Sequence, residues 1–146
     1  MITRTNIPIL IVVFLLLLVS CNVINFGSGD LKTDLELEET EITNVQDIEA
    51  TFSVRNKTDE TKEYSFSSGC QISFIISENG TKIIKAEKKL ICTRALTSFK
   101  LEKGESKTFE LPTYFDIDLK PGTYTIKAYL IGYEDEVYAT KSFSVN

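Results

Sequence analysis

Beyond about residue 30 the chain alternates apolar and polar positions with a period of two, the mark of half-buried β-strands. Ile48, Ala50, Phe52 and Val54 fall on one face of a strand, and Glu49, Thr51, Ser53 and Arg55 on the other. Tyr64 and Phe66 share a face of the next, then Ile72, Phe74 and Ile76, then Phe99 and Leu101, then Phe109 and Leu111. Tyr124, Ile126, Ala128 and Leu130 define a later strand. The last carries Val137, Ala139, Phe143 and Val145, with Lys141 breaking its apolar face. Leu35-Glu36-Leu37-Glu38 also alternates and predicts a first strand. Turn signals separate these runs: the polar stretch Asn56 to Glu60, then Asn79-Gly80, Lys103-Gly104-Glu105 and Lys120-Pro121-Gly122. Asn79-Gly80 is the strongest of them, because both residue types accept the positive φ of a type I′ turn. It should fold Ile72–Ser77 back on Thr81–Glu87. Pro112 demotes the residues after it to loop or sheet edge. Only Lys82–Leu96 is ambiguous, and no apolar 3.6-residue period holds for three turns. The pattern predicts an all-β domain of seven or eight short antiparallel strands packed as two sheets. Its alternating aromatics belong to the core and not to an exposed ligand platform.

The N-terminus follows a different rule. Arg4 is the only charge before Cys21, and Ile7 to Val19 form an apolar run broken only by the ring of Pro8. A helix of about 13 residues rises about 20 Å, short of the roughly 30 Å hydrocarbon core, so the run fits an export signal better than a permanent span. Leu18-Val19-Ser20-Cys21 resembles the lipobox of bacterial lipoproteins: an aliphatic residue, a tolerant position, a small residue and Cys. That resemblance implies cleavage before Cys21, acylation of its thiol and anchoring through two or three acyl chains. Residues 1–20 are then a lipoprotein signal peptide, 21–34 a Gly- and Ser-containing flexible tether, and 35–146 the sandwich domain. The expected location is exported and lipid-anchored, at the cell membrane or outer membrane of a bacterial-type envelope.

Composition narrows the chemistry. The 146 residues include no His, which removes imidazole acid/base catalysis, Ser-His-Asp and Cys-His nucleophiles and most Zn and Fe sites. No nucleophile elbow or metal spacing stands in their place, so neither an enzyme nor a metal or cofactor is expected. Asp116 with Asp118, and Glu134 with Asp135 and Glu136, fit solvated turns, and Glu36, Glu38, Glu39 and Glu41 fit a solvated acidic edge. A formal net charge of -5 argues against nucleic acid as a partner. Once Cys21 is assigned to the lipobox, Cys70 and Cys92 remain. In an oxidising compartment this pair is expected to bridge, closing a loop of about 22 residues. Asn56-Lys57-Thr58 and Asn79-Gly80-Thr81 match glycosylation sequons, which carry no weight in a bacterial-type cell.

Two stretches carry a further resemblance. Ala50-Thr51-Phe52-Ser53-Val54-Arg55-Asn56-Lys57-Thr58, followed by Tyr64-Ser65-Phe66-Ser67-Ser68-Gly69-Cys70-Gln71, is similar to the first half of the BsuPI-type intracellular proteinase inhibitor domain. Leu101-Glu102-Lys103-Gly104-Glu105-Ser106 and Leu119-Lys120-Pro121-Gly122-Thr123-Tyr124 resemble its later turns. The resemblance spans about residues 45–131. It implies an Ig-like β-sandwich and inhibition of a subtilisin-class serine proteinase by protein contact. The chain differs from that family's intracellular prototype in its export signal and in its expected disulfide. No family motif fixes a reactive site. A pre-organised loop loses less entropy on binding, and Cys92-Thr93-Arg94-Ala95 follows a disulfide anchor, so Thr93, Arg94 and Ala95 are the candidate inhibitory loop, with Arg94 entering the protease pocket. The alternative is a non-inhibitory accessory module that binds another envelope protein or a ligand.

Overall fold

A computed structural model describes residues 30–86, 90–111 and 118–146. The signal peptide, Cys21 and Asp116 lie outside the described residues. The regular structure of the described chain is almost all strand: β1 (Leu31–Leu37), β2 (Glu41–Ile42), β3 (Ala50–Asn56), β4 (Lys62–Phe66), β5 (Ile72–Glu78), β6 (Thr81–Lys85), β7 (Thr97–Leu101), β8 (Ser106–Glu110), β9 (Gly122–Leu130) and β10 (Tyr138–Val145). One 3-10 turn, Val45–Asp47, interrupts them. The strands form a three-stranded sheet β1-β3-β8, a five-stranded sheet β2-β10-β9-β5-β6 and a two-stranded pair β4-β7. All three contribute to one core, a β-sandwich.

The alternation read from the sequence becomes burial. In β3, Ala50, Phe52, Val54 and Asn56 point inward, and β1 brings Leu31, Thr33 and Leu35 to the same side in antiparallel register, Leu35 opposite Phe52. In β9, Tyr124, Ile126, Ala128 and Leu130 are buried. Tyr124 stacks on Phe143 of β10 at 5.7 Å, and its hydroxyl donates to the Lys120 carbonyl at 2.8 Å. That bond ties the Pro121-Gly122 corner to the strand it starts, which explains the residue pattern there. At the β5–β6 hairpin Asn79 has φ 49° and Gly80 φ 80°, the positive pair a type I′ turn requires. Register slips between Ile76 and Ser77, so Ile83 is the extra residue of a bulge and stays 45% exposed.

Three expectations change. Ten strands are described where seven or eight were expected, and the one the alternation does not mark is β2, whose two residues are too few to show a period. The pairing is not wholly antiparallel: β2 runs parallel to β10, Glu41 opposite Ser144 and Ile42 opposite Val145. And the strand region opens at Leu31, inside the segment expected to be tether; Leu31, Thr33 and Leu35 supply three inward positions that anchor it to β3. β5 is also buried on both faces, Ser73 and Ile75 as well as Ile72, Phe74 and Ile76.

Candidate functional site

The corner Ser68-Gly69-Cys70-Gln71 joins β4 to β5, and the stretch Leu90 to Leu96 leads into β7. The two are clamped together. Cys70 and Cys92 form a disulfide with Cα atoms 5.4 Å apart. The Gly69 amide donates to the Thr93 carbonyl at 3.0 Å. The Thr97 hydroxyl donates to the Ser68 carbonyl at 2.7 Å, and the Gln71 side-chain amide donates to that hydroxyl at 3.3 Å. Gly69 is where the loop passes closest: a Cβ there would collide with Oγ1 of Thr93. The Ser-Gly-x-Gln pattern is therefore the near side of a clamp. Ser68 supplies a carbonyl, Gly69 an amide and open space, Cys70 a covalent link and Gln71 a side-chain donor.

The clamp holds a segment that contributes almost nothing to the core. Thr93, Arg94 and Ala95 are all exposed. Ile91 is 99% and Leu96 84% exposed. With Ile83 these are the large exposed hydrophobics among the described residues, and two of the three sit on this one loop. The Gly69–Thr93 bond is the only backbone–backbone hydrogen bond that Ile91–Leu96 makes to another described residue. The structure places Thr93, Arg94 and Ala95, the residues expected from the sequence, on this exposed loop, and sets Ile91 and Leu96 beside them. An apolar residue reads as core until its exposure is known, so no sequence signal marked them.

Around the loop the surface is shallow. A cavity of about 410 Å³ beside Leu96 is lined by Ser65, Phe66, Ser67, Leu96, Thr97 and Ser98. Another of about 250 Å³ lies on the other side of the clamp, against Cys70, Ile72, Leu90, Ile91 and Phe109. Farther down β4 and β7 the aromatics interlock. Tyr64 meets Phe99 at 5.3 Å and Tyr133 edge-on at 5.2 Å, and Lys107 lies over the Phe99 ring at 5.0 Å. Tyr64 and Phe66 are buried, so they act as core. Burial pushes the Tyr64 hydroxyl above its ordinary pKa of 10.0, and Tyr133 and Glu136 add to the rise.

At the far end of β7 a different device holds the chain. Asn56 is fully buried, and its side chain meets four partners: Nδ2 donates to the carbonyls of Glu60 at 2.7 Å and Leu101 at 2.9 Å, while Oδ1 accepts from the Thr58 amide at 2.9 Å and hydroxyl at 2.7 Å. Its backbone takes a further pair, to Glu105 O at 3.0 Å and from Gly104 N at 2.9 Å. Gly104, with φ 78°, makes the turn, and the Glu105 carboxylate accepts from the Glu102 amide at 2.8 Å. These bonds explain why a strand ending in Asn and a Gly-Glu turn occur together. They also occupy the amide of the first sequon.

The acidic residues hold nothing in common. Glu36, Glu38, Glu39 and Glu41 are exposed, and Glu49 raises the Glu38 carboxyl above its ordinary range by repulsion. Asp135 pairs with Lys127 at 3.5 Å. Among the described residues no three Cys, Asp or Glu come together as a metal site.

A β-sandwich that presents a clamped, solvent-facing loop has the form of a binding module. The chain matches the family described as intracellular proteinase inhibitor, BsuPI, over residues 35–134, and it belongs to that family. No curated protein matches it. Among solved structures it is similar to a b-glucosidase from Erythrobacter marinus (19% identity, TM-score 0.47, 80% of this chain and 15% of that one). It is also similar to the alkylpurine DNA glycosylase AlkC of Pseudomonas fluorescens (11%, 0.49, 84% and 32%) and to the sporulation control protein Spo0M of Bacillus subtilis (14%, 0.43, 81% and 49%). The chain spans well under two thirds of each. At these scores the likenesses carry no inference about activity.

Proposed function

We propose that this chain is a proteinase inhibitor that works by protein contact, through the loop Ile91–Leu96, while moored to a membrane by acylated Cys21. Family membership supports the inhibitor reading. The observation that carries the choice of surface is the clamp: one disulfide and three hydrogen bonds fix residues that face solvent. A loop already ordered before binding avoids an entropic cost of about 0.5–1.5 kcal/mol for each side chain it would otherwise have to immobilise. Arg94 is the residue that would enter a basic-specific pocket. The lipobox residues Leu18 to Cys21 support the anchor.

The test is inhibition. The chain is purified from membranes in detergent and assayed against subtilisin-like and trypsin-like serine proteinases. The expected outcome is inhibition of at least one, lost in Arg94→Asp if the enzyme is trypsin-like. A panel with no inhibited member overturns the inhibitor reading, and mass spectrometry showing an unmodified amino end overturns the anchor.

A further inference from the structure

We infer that Ile91 and Leu96 are two apolar anchors flanking Arg94, and that the partner is an endopeptidase whose substrate cleft has apolar subsites three positions before and two positions after the one that takes Arg94. The inference rests on the inhibitor reading above and adds to it which side chains are recognised.

Three observations lead here. Water disfavours a fully exposed Ile or Leu, and Ile91 and Leu96 are almost as exposed as residues can be, yet the clamp holds the residue that follows each of them, Cys92 and Thr97. Their exposure is not slack in a loose loop, because the disulfide falls at Cys92 and the hydrogen-bonded Thr97 follows Leu96 directly. The segment between them spends a single backbone carbonyl, that of Thr93, on the described fold. Its other peptide groups make no backbone–backbone bond to a described residue, and a partner's backbone could pair with them as the wall of a cleft pairs with a peptide. An apolar pair around a cation, with unspent backbone between, matches an extended peptide-reading cleft better than a flat protein face. The shallow hollows beside Ile91 and beside Leu96 leave room for the lips of such a cleft.

Apolar exposure elsewhere provides the control. Ile83 is 45% exposed on the bulge of β6, an edge strand of the five-stranded sheet and not part of this loop.

The experiment measures the inhibition constant of the detergent-purified full chain and of Ile91→Ala, Leu96→Ala and Ile83→Ala. It uses each panel proteinase that the wild type inhibits. Circular dichroism and thiol titration check each variant's fold and disulfide. The expected result is a weakening of about tenfold or more for Ile91→Ala and for Leu96→Ala, with Ile83→Ala unchanged. The inhibited enzyme should also cleave peptides bearing Ile three residues before and Leu two residues after Arg faster than peptides with Ala at those places. Wild-type inhibition with both loop variants within twofold of it overturns the anchors and leaves the inhibitor reading standing. A wild type that inhibits no enzyme overturns both. Equal loss in Ile83→Ala overturns the assignment to this loop.

Discussion

Both ends of β7 are fastened to the segments around β4, by opposite means. At the Leu101 end a buried amide, Asn56, joins the close of β3, the Thr58–Glu60 turn and the β7–β8 turn through hydrogen bonds that use its whole polar capacity. At the Thr97 end the Ser68–Gln71 corner holds its neighbour through a disulfide and bonds near the surface. The first device depends on the burial of Asn56, because competing water would weaken the bonds its side chain makes. The second does not depend on burial. A covalent link holds in water, so the segment it fastens can leave Ile91, Arg94 and Leu96 outside. The contrast separates a buried fastening from one that works at the surface.

The largest expected effect breaks the first device. Asn56→Asp replaces a donor facing two carbonyls with an acceptor in a fully buried place. It should lower unfolding free energy by about 3–5 kcal/mol in urea denaturation, while leaving the Gly69 amide as protected from hydrogen exchange as before wherever the variant is folded. Breaking the second device is milder. Cys70→Ser with Cys92→Ser should cost about 3 kcal/mol by freeing a loop of 22 residues in the unfolded chain. Here the Gly69 amide should exchange faster and the side chain of Asn56 should keep its NMR shifts. If the Asn56 signals move as far as the Gly69 signal, the two devices are not independent. The smallest effect sharpens the comparison by pH. Tyr64 has a raised pKa in the folded state, so its contribution to stability is complete below the ordinary value of 10.0 and is lost as pH rises through the higher folded value. Neither the amide nor the disulfide titrates. Stability followed by denaturation above pH 10 should therefore fall in the wild type, and fall less in Tyr64→Phe.

Much of this was legible along the chain, for a physical reason. A strand's faces repeat every two residues, so β3 and β9 showed their inner residues directly, and the Asn79-Gly80 turn is set by two adjacent φ angles. The disulfide followed from counting cysteines. What stayed hidden depends on partners far along the sequence. Asn56 reads as a turn residue until Leu101, 45 positions away, meets its side chain. The parallel β2 has two residues and thus no period at all. Leu31 and Thr33 gained strand character from β3 opposite, against a polar neighbourhood that reads as linker. At the candidate site the same limit applied in reverse. Arg94 was singled out by its place just after the Cys92 anchor, and it is exposed, whereas nothing in the sequence marked the exposure of Ile91 and Leu96, because hydrophobicity implies burial.

The pairing of β2 with β10 joins the second strand to the last one described. Ile42 has its strand partner at Val145, and Thr33 of β1 donates its hydroxyl to the Tyr138 carbonyl at 2.6 Å. The strands β1 and β3 can pair with each other early, but β2 has no strand partner until Tyr138–Val145 is in place. A nascent chain stalled before Tyr138 would carry an uncovered row of strand hydrogen-bonding groups, and that exposed ribbon is the form most prone to stick to its neighbours.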